Sequence, residues 1–177
     1  MRAVRHVWCA IAASFLVSAC AHGARSRPET SEPAAVDEEL YAAAVRGTLQ
    51  HFGRDDQEPT LYCVSIPGDT RPPFLARFTH DPFLIAGPDS CKWDRGAVVP
   101  ASSSPEVVSN GRPTGARVTP TRAMFLRVER VKLLSPGRAQ ADTSIVYGNV
   151  GANGLTLTLE RKDGQWTVLT AEDTWIS

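Results

Sequence analysis

LTLTLERKDGQWTVLT, residues 155–170, decides the fold. Leu155, Leu157 and Leu159 alternate with Thr156, Thr158 and Glu160, the two-residue period of a strand with one dry face and one wet face. The alternation stops at Arg161-Lys162-Asp163-Gly164, and Asp-Gly is a pair that favours a tight hairpin turn. Trp166 and Val168 then share a face on the return strand.

The same pattern extends toward the N-terminus. AMFLRVERVKLL, residues 123–134, alternates and then changes phase near Glu129–Val131, as an extra residue in a β-bulge requires. SPGR turns the chain, and Ala141, Thr143, Ile145 and Tyr147 alternate with Asp142, Ser144 and Val146. GNVGANG, residues 148–154, reads as a loop dense in Gly and Asn. Four strands in series with short connections form an antiparallel meander.

VDEELYAAAVRGTLQHF, residues 36–52, carries a helical period. Tyr41, Val45, Thr48 and Phe52 recur at spacings of four, three and four, and Leu40, Ala44 and Leu49 widen the stripe. Asp37 suits the N-cap, Glu38 and Glu39 favour the first turn, and Gly53 suits the stop. Gly47 weakens the helix, so its expected use is close contact with the sheet. Between helix and meander, TLYCVSI (60–66) and FLIA (83–86) are short strand candidates. PPFLARF (72–78) is a short helix opened by proline. Residues 96–121, rich in Pro, Ser and Gly, read as a long irregular loop with room for one short strand.

The N-terminus reads as an address. Arg2 and Arg5 precede an uncharged run, Val7–Ala19, too short to span a bilayer, which needs roughly 20 apolar residues. Val17-Ser18-Ala19-Cys20 resembles the bacterial lipobox, with small residues beside the cut and a thiol to carry the diacylglycerol. Residues 1–19 are then a lipoprotein signal peptide, Cys20 is the lipidated first residue, and 21–35 (AHGARSRPETSEPAA) is a flexible tether. Ala21, where inner-membrane retention in many Gram-negative bacteria uses aspartate, points to the outer membrane if the host is Gram-negative. Residues 36–177 are expected to be one domain. Without Arg2 and Arg5, 17 of the 19 Lys and Arg remain against 19 Asp and Glu. That near-neutral balance excludes the basic footprint of a nucleic-acid binder.

Of the four cysteines, Cys9 leaves with the signal and Cys20 takes the lipid. Cys63 and Cys91 form an even pair in an exported chain, which reads as a disulfide. A redox pair would favour Cys-x-x-Cys. A zinc site would need further ligands, and only His51 and His80 stand in the body of the chain.

No catalytic signature stands out: there is no His-Glu-x-x-His, no Gly-x-Ser-x-Gly and no P-loop. The best polar cluster is Thr79-His80-Asp81, where His80 and Asp81 offer a base and an orienting partner, although sequence neighbours do not by themselves make a dyad. Asp55-Asp56 suits a solvated loop better than a calcium site. Asp89 and Ser90 suit a turn beside Cys91. Trp93, Trp166 and Trp175 suit core and rim packing or a pocket wall.

A helix followed by a curved antiparallel sheet, ending in a hairpin with Gly164, Trp166 and Val168, resembles the cystatin-like and NTF2-like folds over Asp37–Phe52 and residues 123–177. YCVSIPG and GPDSC are similar to segments of bacterial lipoproteins. The resemblance implies an α+β class, with an N-terminal amphipathic helix packed on a curved antiparallel sheet. It also implies a cavity between them, which in some NTF2-like enzymes holds a carboxylate in an apolar cone. Here only Tyr147 offers an inward polar group, and Asp142 falls on the opposite phase from Ile145. The expectation is therefore a non-catalytic, membrane-anchored module that binds an envelope protein or a small molecule. No cofactor, metal or nucleic acid is implied. The alternative is an NTF2-like isomerase or hydrolase working in the cavity.

Overall fold

The computed structural model describes residues 38–53, 59–68, 72–101, 119–149 and 151–176. All of them belong to one compact unit, Pro33–Ser177. The signal segment, Cys20, the tether, Asp37, Asp55, Asp56 and residues 102–118 of the long loop lie outside the described residues.

The chain runs α1 (Glu38–Phe52), β1 (Thr60–Ser65), α2 (Pro72–Leu75), a 3₁₀ turn (Ala76–Phe78) and β2 (Leu84–Ala86). A second 3₁₀ turn (Pro88–Ser90) leads into β3 (Cys91–Asp94), β4 (Ala97–Pro100), β5 (Arg122–Ser135), β6 (Arg138–Gly148), β7 (Gly151–Lys162) and β8 (Gln165–Ile176). The main sheet has the order β2-β1-β5-β6-β7-β8, and the β3–β4 hairpin joins it where Ala97 pairs with Gly148. β5 to β8 form an antiparallel meander. Asp163 and Gly164 turn β7 into β8, both at positive φ (52° and 83°), as a two-residue hairpin turn of type I′ requires.

This architecture corrects the expected α+β class of cystatin-like or NTF2-like kind. Of the described residues, 58% are strand and 22% helical, in an eight-stranded mixed sheet with two short α-helices. Two physical features explain the difference. First, β1 pairs in parallel with both β2 and β5. Thr60 to Val64 are buried without alternation, because a parallel strand inside a sheet is covered on both faces. Second, α1 is not an amphipathic helix with a single dry stripe. Ala42, Ala43, Ala44 and Val45 are all buried, and four successive residues complete a turn of 3.6. The sheet covers one side of α1. The segment after β1 supplies more cover: Phe74 and Phe78 join the same core, and the Arg46 guanidinium lies 5.1 Å over the Phe78 ring.

The sheet's inner face, toward α1, carries the main core: Tyr62 and Val64, Leu126 and Val128, Ala139, Ala141 and Ile145, and Leu155, Leu157 and Leu159. Gly47 is there for contact. A Cβ on it would stand 2.5 Å from Val168 Cγ2 and 3.3 Å from Leu157 Cδ1. Next to it the buried Thr48 hydroxyl donates to the Ala44 carbonyl at 2.9 Å and shares a 2.8 Å hydrogen bond with the Thr143 hydroxyl. Glu129 is the extra residue at the β5 bulge, since Val128 pairs with Thr143 and Arg130 with Asp142.

The outer face has a smaller core under the β3–β4 hairpin: Leu61, Cys63, Leu84, Ala86, Cys91, Val98 and Ala123, with Phe125 against it. Cys63 and Cys91 are disulfide-bonded with their Cα atoms 6.0 Å apart, tying β1 to β3. With a separation of 28 residues, the link is worth about 3–4 kcal/mol on the chain-entropy model.

Candidate functional site

α1 ends before the sheet does. Its contacts progress from Gly47 on Val168 to His51 on Asp173, so helix and β8 run in the same general direction. Beyond Gly53 the inward positions of β5, β6 and β7 continue without the helix above them. A cavity of about 340 Å³ opens there. Its walls are His51, Phe52 and Gly53 from the end of α1, Arg122 and Met124 from β5, Ile145 and Tyr147 from β6, and Asn153 from β7.

The register explains how these groups converge. Ile145 pairs with Asn153, which pairs with Ile176, so all three lie on the inner face. The glycine-rich stretch 148–154 is not a loop: β6 runs to Gly148 and β7 starts at Gly151. Its glycines admit large rings. A Cβ on Gly151 would stand 2.2 Å from the Tyr147 ring, and one on Gly154 would stand 2.1 Å from the Trp175 indole. Tyr147 thus lies flat along the rim, and Trp175 takes the outer face.

Asn153 Oδ1 is buried and has no hydrogen-bond partner among the described residues. A buried acceptor left without a donor costs about 1–3 kcal/mol. Among the described residues two nitrogens share that condition, Arg77 Nε and Trp166 Nε1, and neither residue lines the cavity. His51 Nε2 lies 3.1 Å from Asp173 Oδ1, joining the end of α1 to β8. The arrangement combines an apolar floor (Phe52, Met124, Ile145), a cation (Arg122), a His–Asp pair and an acceptor that needs a donor.

The polar groups singled out in the sequence lie elsewhere. His80 is exposed, and Asp81 accepts from Arg46 Nε at 3.1 Å, while the other end of the same guanidinium donates to the Arg77 carbonyl at 2.7 Å. Neither lines the cavity. Asp142 is on the outer face, accepting from Arg130 Nε at 2.9 Å and the Thr156 hydroxyl at 3.0 Å. Asp89 and Ser90 form the 3₁₀ turn before Cys91. Trp93 stands 6.1 Å from the Phe125 ring, and Trp166 packs against the main core. Tyr147, the inward polar position, does line the cavity.

Sequence reasoning missed Arg122, Asn153 and Asp173, and weighed His51 only as a metal ligand. Asn153 was findable: extending the Leu155–Leu157–Leu159 phase backward through the glycines puts it on the inner face. Asp173 was not, because Leu169 and Thr174 are extra residues that shift the phase of β8 twice. Among the described residues no group of three or more His, Cys, Asp or Glu is placed to hold a metal ion. No helix among them is long and apolar enough to cross a membrane. No family model, no curated protein and no solved structure matches this chain.

Proposed function

We propose that this protein is a lipid-anchored, non-catalytic module of the bacterial cell envelope that holds a small ligand in the cavity at the end of α1. The anchor reading is supported by the uncharged run ending in Val17-Ser18-Ala19-Cys20. The ligand reading is supported by the cavity, whose size of about 340 Å³ falls within the range usual for small-molecule sites. The carrying observation is Asn153, a residue of the cavity wall whose buried Oδ1 finds no donor among the described residues. A ligand that fits has an apolar body for Phe52, Met124, Ile145 and the Tyr147 ring, and a polar group for the Asn153 amide.

Two mass measurements test this reading. Protein from the membrane fraction should begin at Cys20 and carry acyl mass; a mature chain beginning at Ala21 without lipid contradicts the anchor. Native mass spectrometry of the same material should detect a retained small molecule, lost in Tyr147→Ala. Recovery of lipidated polypeptide alone, at every detergent tried, contradicts the ligand. The His51–Asp173 pair favours a second reading, an acid–base enzyme of the isomerase or hydrolase class in the same cavity. Conversion of the retained molecule by wild-type protein, abolished in His51→Ala, would establish it.

A further inference from the structure

The opposite end of the sheet carries the turns of β5–β6 and β7–β8 side by side: Arg138 pairs with Glu160, and the Arg161 N–H donates to the Gly137 carbonyl at 2.8 Å. Leu133 and Leu134 stand at this end 48% and 51% exposed. Leu133 pairs with Ala139, and Leu134 is the extra residue at a register shift, so the two neighbours cannot both be drawn into the core. Around them Lys132, Arg138, Arg161 and Lys162 are exposed cations. The acidic groups of the same turns are Glu160, within 3.8 Å of Arg138, and Asp163; the start of α1 adds Glu38 and Glu39, both paired with Arg77, which leaves the cations of this end one ahead of the acids. The other adjacent pair of exposed apolar residues, Trp175 and Ile176, sits beside Glu172 and Asp173, the opposite charge pattern.

We propose that the β5–β6 and β7–β8 turns form a docking surface for an anionic lipid bilayer. Leu133 and Leu134 enter the headgroup region, and Lys132 and Lys162 face lipid phosphates. Exposed apolar groups rimmed by basic ones match an anionic membrane surface in both chemistry and charge. The direction of α1 places its first residue, Glu38, toward this same end, since helix and β8 run together from the β7–β8 turn toward the cavity. An anchor upstream of Glu38 therefore tethers the domain by the end that carries the leucines. The inference rests on the proposed anchor only for this orientation; the surface itself is a property of the turns. With that end down, the cavity opens away from the bilayer.

The test uses chain 21–177, which lacks Cys20 and the signal but keeps the whole compact unit Pro33–Ser177. It should float with phosphatidylglycerol vesicles at low salt and remain unbound with phosphatidylcholine vesicles. Leu133→Ser with Leu134→Ser should weaken binding at least about tenfold, given the apolar area each leucine buries. Lys132→Gln and Lys162→Gln should each weaken it roughly fivefold. A fluorophore on Leu134→Cys should shift to the blue on adding anionic vesicles, a readout that needs no loss of folding. Absence of binding to phosphatidylglycerol, or equal binding by the double serine variant, overturns the proposal. So does a leucine-dependent dimer that forms without vesicles. The acyl mass on Cys20 is measured separately, so failure here is distinguishable from failure of the anchor.

Discussion

The space between α1 and the sheet differs at its two ends. Around Gly47 the layers touch so closely that there is no room for one methyl group beside Val168. Around Gly53 the same layers leave a cavity of about 340 Å³. The inward residues differ in step. At the closed end they are Leu157, Leu159 and Val168, which need only cover. At the open end they include the polar side chains of Arg122, Tyr147 and Asn153. The sheet is long enough to be covered further and is left uncovered where its inward side chains turn polar. Departures of this kind from a consistent core pattern are where function is sought.

The largest expected effect lies at the closed end. Leu157 is fully buried, and Leu157→Ala should cost about 2–5 kcal/mol of stability, read from the denaturant midpoint. A loss below about 1 kcal/mol would mean that the closed end is slack, since collapse of the site sets the cost. Gly47→Ala sharpens the point. On an open helix this change gains up to about 1 kcal/mol; here overpacking against Val168 costs about 1–3 kcal/mol. The variant should be less stable than wild type, and a higher melting temperature would contradict close contact at Gly47.

The smaller effect has the opposite sign and belongs to the open end. Asn153→Val removes a buried acceptor that lacks a donor and places a β-branched residue in a strand. It should raise the stability of the ligand-free protein by about 1 kcal/mol, visible as a higher melting temperature. A destabilised variant would mean that Asn153 has structural work to do.

The closed end was more legible in the sequence than the open one, for physical reasons. The meander follows from the period of Leu155, Leu157 and Leu159 and from the Asp163-Gly164 turn, both local signals. The position of Gly47 against the sheet follows from the cost of glycine in a helix. The pairing of Cys63 with Cys91 follows from their being an even pair. The parallel neighbours of β1 do not announce themselves, because a continuous buried run such as Leu61–Val64 fits several settings. Its lack of alternation was nonetheless the available clue to cover on both faces. The enclosure of α1 was hidden because alanines at 42–44 suit either a dry or a wet face. The cavity was hidden twice: its glycines read as a loop, and the bulges at Leu169 and Thr174 break the period that leads to Asp173. His80 and Asp81 were neighbours in sequence, but Arg46 claims the aspartate.

We propose that the open end keeps Asn153 for a ligand at a cost in stability. One paired measurement on Asn153→Val tests it most directly: the melting temperature of the ligand-free protein, and retention of the small molecule by native mass spectrometry. The variant should melt higher than wild type and retain nothing. A variant that melts lower, or that retains the molecule as wild type does, contradicts it.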